Sequence, residues 1–176
     1  VIGVDNEMIK EKIINRDFVT TDGEDLFDAE TLASKIALTK AIKDFGLKRI
    51  ITFHSRVEGA EIFAQDLEKI LRLIPEKDLP EGVIKSDYVS GAMKTKERNE
   101  KIEKLKNLDK GEIRILTNAR CLSEGVDVPT LDGVGFIDPR YSQIDIIQAV
   151  GRAIRKSDDK SCGTILIPVF IGNSFN

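Results

Sequence analysis

The sequence predicts an α/β fold in which a mostly parallel sheet is covered by helices on both faces, as a three-layer α/β/α sandwich. Short runs rich in β-branched residues alternate with segments whose apolar residues recur at helical spacing, and this alternation is typical of parallel sheets with crossover helices. The chain has 176 residues, of which 41% are hydrophobic and 32% are charged. This length and composition suit one soluble domain with its own core.

The beginning of the chain is predicted to lead into that domain. Residues 1–25 are interpreted as an irregular segment, in which the polar stretch Thr20–Glu24 resembles a turn. Residues 26–176 are expected to form the single domain. Helix-forming residues predominate from Leu26 to Phe45, and Gly46 follows where a helix would end, so a first helix is expected there.

The rest of the chain is predicted to alternate between strands and helices. Strands are expected at Arg49–His54, Asp87–Ser90, Glu112–Thr117, Gly133–Ile137 and Gly163–Phe170. Helices are expected at Ala60–Ile74, before Pro75, at Lys94–Leu108 and at Ser142–Lys156. Ligands of such sheets lie beyond the carboxyl ends of the strands, so the polar residues that follow the strands are the first candidates for a site. These are His54–Arg56, Ser90–Gly91, Thr117–Arg120 and Asp138–Arg140.

The last predicted helix places two arginines on one face. A helix advances about 100° per residue, so Gln148, Arg152 and Arg155 share a stripe while the apolar residues between them can bury on the opposite side. Gly151 lies beside the stripe and leaves room for another group to approach. Guanidinium groups fork onto phosphate oxygens, and an arginine at a γ-phosphate stabilises charge in the transition state. The stripe thus indicates a phosphate site, with solvated surface arginines as the alternative.

Two segments carry a resemblance to a known family. Thr117–Pro129, with its Glu-Gly-Val-Asp-Val-Pro ending, resembles motif V of superfamily 2 helicases, and Gln148–Arg155 resembles motif VI. Ile51–Arg56 occupies the place of motif IV, and Ser90–Arg98 resembles the segment between motifs IV and V. The resemblance covers roughly residues 48–170.

This resemblance implies a RecA-like helicase C-terminal domain, which is P-loop NTPase-like but lacks the P-loop. The function implied is that of the second motor domain of an ATP-dependent DEAD/DEAH-type helicase or translocase. Phe136–Arg140 and Gln148–Ala153 are most similar to the motor subunits of type I and type III restriction enzymes. The cofactor implied is therefore ATP, and the nucleic acid implied is duplex DNA.

The resemblance also implies roles for individual residues. The residues that the resemblance places at the nucleotide are Gly125, Asp127, Gln148, Arg152 and Arg155. Arg155 would be the catalytic arginine finger, and Arg152 would be a second contact to the γ-phosphate. Those implied at the nucleic-acid backbone are His54, Ser55, Thr117, Asn118 and Arg120.

Several of these residues also have a purely structural interpretation. Asp127 would be a turn residue, His54 would make a local hydrogen bond at a strand end, and Arg120 and Arg140 would be solvated loop charges. The lysines of residues 94–110 alternate with glutamates, which predicts a solvated helix face rather than a binding patch.

The half of the ATP site that binds phosphate and magnesium is not found in the sequence. There is no G-x-x-x-x-G-K-[ST] motif and no Asp-Glu-x-His or Asp-Glu-x-Asp tetrad. Both are expected on a preceding RecA-like domain of the same parent chain, which would be the protein partner and would hold Mg²⁺. The sequence starts at Val1 rather than Met, and it is expected to be a fragment of a longer protein. Because it has neither of these motifs, the fragment alone is not expected to hydrolyse ATP.

Charge and cysteine content exclude other classes. A net charge of −3 and a pI near 5.4 leave no basic field over the whole protein, so any nucleic-acid contact must be local. Cys121 and Cys162 form no CxxC pair, which favours buried thiols in a reducing cytosol over zinc or redox sites. No apolar run approaches the roughly 20 residues of a membrane span, and no signal peptide is seen, so a cytoplasmic protein without a membrane partner is expected.

Three other functions compete with the DNA motor. An RNA helicase is disfavoured because Gln148-Ala149 stands where many RNA-directed members have His-Arg, and because the loop from Thr117 to Gly125 is long. A non-catalytic RecA-like interaction domain would not need two arginines on one stripe. A small-molecule α/β enzyme would need a nucleophile and base pair, but the one histidine has no such motif around it.

Overall fold

The computed structural model describes residues 18–21, 25–119, 131–137, 151 and 163–167. Its elements follow in the order β1 (Phe18–Thr21), β2 (Asp25–Asp28), α1 (Ala29–Phe45), β3 (Arg49–His54), α2 (Val57–Leu71), a 3-10 turn (Glu76–Asp78), β4 (Val83–Ser90), α3 (Thr95–Lys106), β5 (Glu112–Ala119), β6 (Gly133–Phe136) and β7 (Thr164–Leu166).

The centre of the fold is a parallel sheet. In the described part of the chain it has five strands in the order β4-β5-β3-β6-β7, and every pairing between neighbours is parallel. All eight residues of β5 are buried, as expected for an inner strand covered on both faces. The predicted α/β fold with a mostly parallel sheet is confirmed.

Two apolar clusters fill the space on the two faces of the sheet. On one face, Ile102 and Leu105 of α3 pack with β3, β5 and β6. On the other face, α1 and α2 pack against residues of β3 and β5, with Phe63 and Leu67 at the centre of the contact. The result is the predicted three-layer arrangement of helices, sheet and helices.

The start of the chain departs from the prediction. Residues 18–21 and 25–28 form an antiparallel pair of strands, with Val19 opposite Phe27 and Thr20 opposite Leu26. Pairing with β1 holds residues 25–28 in an extended conformation, so α1 begins at Ala29 rather than at Leu26. The predicted end of this helix is confirmed, because Gly46 has a φ of +61° and the Leu47 N–H donates to the Ile42 carbonyl at 3.0 Å.

The other predicted boundaries are close to the observed ones, with one clear difference. β4 begins at Val83 rather than Asp87. Its first half lacks an apolar pattern because it lies at the edge of the described sheet, where Val83 is 62% exposed. A close backbone contact starts this strand. Gly82 has a φ of +119°, a Cβ there would lie 2.4 Å from the Gly111 carbonyl oxygen, and the Val83 N–H donates to that oxygen at 2.9 Å. The predicted strand Gly163–Phe170 is observed as β7 at Thr164–Leu166, and residues 168–170 lie outside the described residues. The predicted helix at 142–156 also lies outside them, apart from Gly151, which is helical.

Asp132 fixes the start of β6 to the start of β3. Its carboxylate accepts hydrogen bonds from the backbone N–H groups of Lys48 at 3.0 Å and Arg49 at 2.8 Å. The Asp132 N–H in turn donates to the Arg49 carbonyl at 2.8 Å. Along β6, Gly135 packs closely on β3, since a Cβ there would lie 3.2 Å from Cγ2 of Thr52. These contacts fix the register of β6 against β3.

Candidate functional site

The carboxyl ends of three neighbouring strands lie at one level. In register, His54 at the end of β3 and Ser90 at the end of β4 both pair with Ala119 at the end of β5. The polar residues that the sequence places after these strands therefore meet at one edge of the sheet, as predicted. We call this the strand-end edge, and its described polar residues are His54, Ser55, Ser90, Thr117 and Asn118.

Most side chains at the strand-end edge are buried beneath it. His54 and Ser90 are each 3% exposed, and Thr117 and Asn118 are wholly buried. Ser55, which follows β3 directly, is half-buried and therefore reaches the surface. Of the described polar side chains at the edge, that of Ser55 is therefore the one that reaches solvent, and the others lie inside.

Thr117 uses its hydroxyl inside the domain. The hydroxyl donates to the Ala60 carbonyl of α2 at 2.6 Å, and the Asp87 carbonyl lies 3.4 Å away. One helical turn further along α2, the Ser86 hydroxyl donates to the Ala64 carbonyl, also at 2.6 Å. These two hydroxyls hold α2 against β4 and β5, so Thr117 helps to fix the helix that starts just after Ser55.

His54 also faces inward. Its Nε2 and the Thr52 hydroxyl share a hydrogen bond of 3.1 Å, and its ring lies 4.9 Å from the Phe63 ring of α2, tilted by 59°. The local hydrogen bond considered from the sequence is therefore present. Asn118 lies in register with Phe53 and Val89 in the neighbouring strands.

A buried lysine below the strand-end edge was not singled out from the sequence. The Lys35 side chain is fully buried, with its Nζ 4.9 Å from the centroid of the Phe63 ring and 3.8 Å from Oδ2 of Asp66. Burial lowers the pKa of Lys35 to about 8, against the opposing effect of the Asp66 charge. The spacing of Lys35 to the buried Leu38 and Ile42 is the helical i, i+3, i+7, and this is the signal that could have revealed it.

A charge network inside β4 and β5 keeps an arginine away from solvent. Arg114 is 7% exposed, and its guanidinium donates to Glu112 at 2.7 Å and to Asp87 at 2.8 Å. Burial alone would raise the pKa of Glu112, but hydrogen bonds from Arg114 and the Asp109 N–H, with the charges of Arg114 and Lys85, hold that pKa below its usual range. Arg114 is therefore a structural cation.

Tyr88 joins the two helical layers at the end of β4. A hydrogen bond with Glu61 of α2, burial and nearby carboxylates raise the pKa of the Tyr88 hydroxyl. Lys101 of α3 lies 4.7 Å from the centroid of the Tyr88 ring and donates to the Tyr88 carbonyl at 3.0 Å. Ile102 and Leu105 form the buried side of α3, and the opposite side of this helix is the predicted solvated face.

The nucleotide residues predicted from the sequence lie outside the described residues. This holds for Gly125, Asp127, Gln148, Arg152 and Arg155, and for Arg120 at the nucleic-acid side. Gly151 is described and exposed, and among the described residues no atom lies within 4 Å of the position of a Cβ there.

A metal cluster and a membrane-spanning helix are both absent from the described part of the chain. Within the described residues, no group of three or more His, Cys, Asp or Glu side chains is placed to hold a metal ion. Among the described helices, none has the length and apolar character to cross a bilayer.

Comparison with known proteins identifies the family. The model of the helicase conserved C-terminal domain matches residues 35–157. This chain belongs to that family. Its structural neighbours are superfamily 2 helicases, and the sheet described above is the RecA-like fold of their C-terminal domain.

Three proteins are similar to this chain in sequence or in fold. A Saccharomyces cerevisiae protein named as an ATP-dependent helicase, IRC3, is 28% identical over 155 residues, which are 79% of this chain and 22% of that protein. The ATP-dependent type ISP restriction-modification enzyme LlaBIII, solved bound to DNA, is 27% identical with a TM-score of 0.70, covering 85% of this chain and 10% of that chain. Domain 2 of the DEAD-box helicase Mss116p, solved on an RNA duplex, shares the fold at 19% identity and a TM-score of 0.53, covering 78% of this chain and 48% of that chain. The chain thus spans only a small part of its full-length relatives.

Proposed function

We propose that this chain is the second motor domain of an ATP-dependent superfamily 2 helicase or translocase that acts on duplex DNA. The observation that carries the proposal is the family match over residues 35–157, which includes the strand-end edge and the segments that resemble motifs V and VI. The DNA assignment is supported by the 27% identity to LlaBIII, which was solved bound to DNA.

Residues of the motif VI segment are proposed to complete an ATP site formed with a preceding motor domain. Arg155 would place its guanidinium at the γ-phosphate as the arginine finger, and Arg152 would make a second contact there. Gln148 would link the segment to the nucleotide or to the neighbouring domain. No described atom lies within 4 Å of the position of a Cβ at Gly151, which supports an approach from outside this chain.

The motif V segment is proposed to contact the remainder of the nucleotide. Gly125 would allow its backbone to come close, and Asp127 would hydrogen-bond near the ribose and phosphates. ATP, when bound, supplies the phosphoanhydride bond whose hydrolysis drives the cycle. Mg²⁺ is proposed to be held by the preceding motor domain, and the change between closed and open domains would move this chain along the nucleic acid.

The strand-end edge is proposed to hold the nucleic-acid backbone. Because His54, Thr117 and Asn118 are buried, their contribution is to fix the backbone of the edge, while Ser55 donates from the surface. The N–H groups at the start of α2 favour phosphate oxygens, and Arg56 at the N-cap position makes no side-chain cap hydrogen bond. Arg120 would add charge. Contacts of this kind position a duplex without reading its sequence.

Substitution of the proposed arginine finger tests the assignment. Arg155→Ala in the full-length protein is expected to reduce DNA-stimulated ATP hydrolysis by on the order of 10³-fold while nucleotide binding is largely kept. The matched control is Arg72→Ala, which removes an exposed arginine that pairs with Glu68 at the surface, next to the end of α2. Turnover in Arg155→Ala equal to that of the control would refute the assignment.

The choice between DNA and RNA needs a separate experiment. Duplex DNA is expected to stimulate ATP hydrolysis by the full-length protein more than duplex RNA of the same sequence. Stronger stimulation by RNA would favour an RNA helicase instead. Absence of both stimulation and ATP hydrolysis would favour a non-catalytic RecA-like interaction domain. The 176-residue chain alone is expected to show no ATP turnover, because its sequence has no Walker A motif.

A further inference from the structure

Lys35 is a buried cation that the proposed mechanism does not use. Its side chain is fully buried, and within the described part of the chain its Nζ has no hydrogen-bond acceptor. Its partners are the face of the Phe63 ring, 4.9 Å from Nζ, and the Asp66 carboxylate at 3.8 Å, which is beyond hydrogen-bonding distance. The Asp66 side chain is 24% exposed and so remains partly solvated.

Stability does not account for a charge in this place. Moving an ammonium out of water is unfavourable unless ion pairs and hydrogen bonds replace its hydration. Lys35 has one long ion pair and a ring face as replacements, whereas an apolar side chain of the same length would fill the space without a desolvation cost. The charge is therefore best explained by what it does to its surroundings.

The contacts of Lys35 lead to the strand-end edge. The Phe63 ring contacts both the Lys35 ammonium and the His54 ring, with both centroid distances at 4.9 Å. The Lys35 Nζ is thus at most about 10 Å from the centroid of the His54 ring. His54 also shares a hydrogen bond of 3.1 Å with the Thr52 hydroxyl, and it is the last residue of β3 before Ser55.

We propose that Lys35 is a positioning residue for nucleic-acid binding, which holds Phe63 against His54 by a cation–π contact and places a buried positive charge behind the strand-end edge. This inference rests on the proposed function of that edge. The Phe63 ring and the interior around it screen the charge less than water does, so it acts on a phosphate at the edge over a longer distance than a surface lysine would.

Two substitutions at Lys35 separate its charge from its volume. Lys35→Met keeps the length and removes the charge, and Lys35→Arg keeps the charge and the contact with the ring. In the full-length protein, Lys35→Met is expected to bind a fluorescein-labelled DNA duplex on the order of tenfold more weakly than wild type, and Lys35→Arg to restore most of that affinity. Circular dichroism of each variant shows that it is folded.

The single histidine of the chain provides a second readout. His54 is the one histidine in the sequence, so its imidazole signals in NMR spectra of the 176-residue chain need no assignment among several residues. Lys35→Met is expected to shift these signals, and Lys35→Arg to return them toward the wild-type positions. Lys43→Met is the matched control, because Lys43 lies exposed on the same helix and its loss should leave the His54 signals unchanged.

The outcomes distinguish this inference from the proposed function. Weaker DNA binding by Lys35→Met, rescued by Lys35→Arg, supports the inference. A wild-type protein that binds DNA and a Lys35→Met variant that binds equally well overturn the inference and leave the proposed function intact. A wild-type protein that does not bind a DNA duplex overturns the proposed DNA function, and the role of Lys35 falls with it.

Discussion

The burial of Lys35 predicts an unusual dependence of stability on pH. The pKa of Lys35 is about 8 in the folded chain and near the ordinary lysine value of 10.5 in the unfolded chain. Between these values the unfolded chain binds one more proton than the folded chain, so the free energy of unfolding rises with pH. Below about pH 8 the folded chain carries the buried ammonium, and its desolvation cost is fully present.

The size of this effect follows from the shift. A difference of one pKa unit corresponds to about 1.4 kcal/mol, so the shift from 10.5 to about 8 corresponds to about 3 kcal/mol. Lys35→Met removes that cost at neutral pH but also removes the contact with the Phe63 ring, which is worth about 1 kcal/mol. We expect the variant to be more stable than wild type by about 2 kcal/mol near pH 7, and this difference to fall by about 3 kcal/mol as the pH reaches about 10.5.

Urea unfolding of the 176-residue chain, followed by circular dichroism at several pH values, measures this difference. Groups common to both proteins, including Tyr88 with its raised pKa, cancel when the variant is compared with wild type at each pH. A difference that stays constant across the range would show that Lys35 does not titrate in the folded chain, and the reasoning would be wrong. Lys35→Arg provides the control, since an arginine stays charged throughout and should lose stability relative to wild type as the pH rises.

Further predictions concern contacts that hold the sheet together. Gly82→Ala should lower the free energy of unfolding by about 3 kcal/mol, because its Cβ would collide with the Gly111 carbonyl at a positive φ. Gly111→Ala has a φ of +77° but no such collision, and it should lower the free energy of unfolding by about 1 kcal/mol. Equal urea midpoints for the two variants would contradict this. Thr117→Val should lower the free energy of unfolding by about 1 to 2 kcal/mol, since the Ala60 carbonyl loses its hydrogen bond from the Thr117 hydroxyl. Amide hydrogen exchange at the start of α2 should become faster, and unchanged exchange would count against the role of Thr117. Asp132→Ala should cost about 1 to 2 kcal/mol through loss of the hydrogen bonds that start β3, and an unchanged melting temperature would exclude this.

Periodic apolar patterns explain why most of the fold could be predicted. In α2, the buried residues Ala60, Phe63, Leu67 and Ile70 follow the helical spacing read from the sequence. In β5, the buried residues Ile113, Ile115 and Leu116 form the apolar run from which the strand was predicted. Both patterns arise from burial, and burial is what holds these elements in place.

The same reasoning explains where prediction from the sequence went wrong. The β1–β2 pair was missed because two short strands hold each other by backbone hydrogen bonds, which leave little apolar pattern. The inward direction of the Thr117 hydroxyl depends on a carbonyl 57 residues away in α2, and no local pattern reveals such a contact. Lys35 was overlooked because a lysine in a helix is normally exposed, although its spacing to buried neighbours placed it inside.

The burial of the strand-end edge bears on how such a domain would bind nucleic acid. A motor that moves along a duplex must hold every base pair equally well, so its contacts should be to the phosphate backbone and should not read bases. Buried His54, Thr117 and Asn118 cannot donate to a base edge, but they hold the ends of β3 and β5 rigidly in place. With a net charge of −3, the chain has no general attraction for a polyanion. On the proposed function, binding would come from backbone geometry with a few local charges, and a positive charge behind the edge, such as that of Lys35, would contribute without making a contact that depends on sequence.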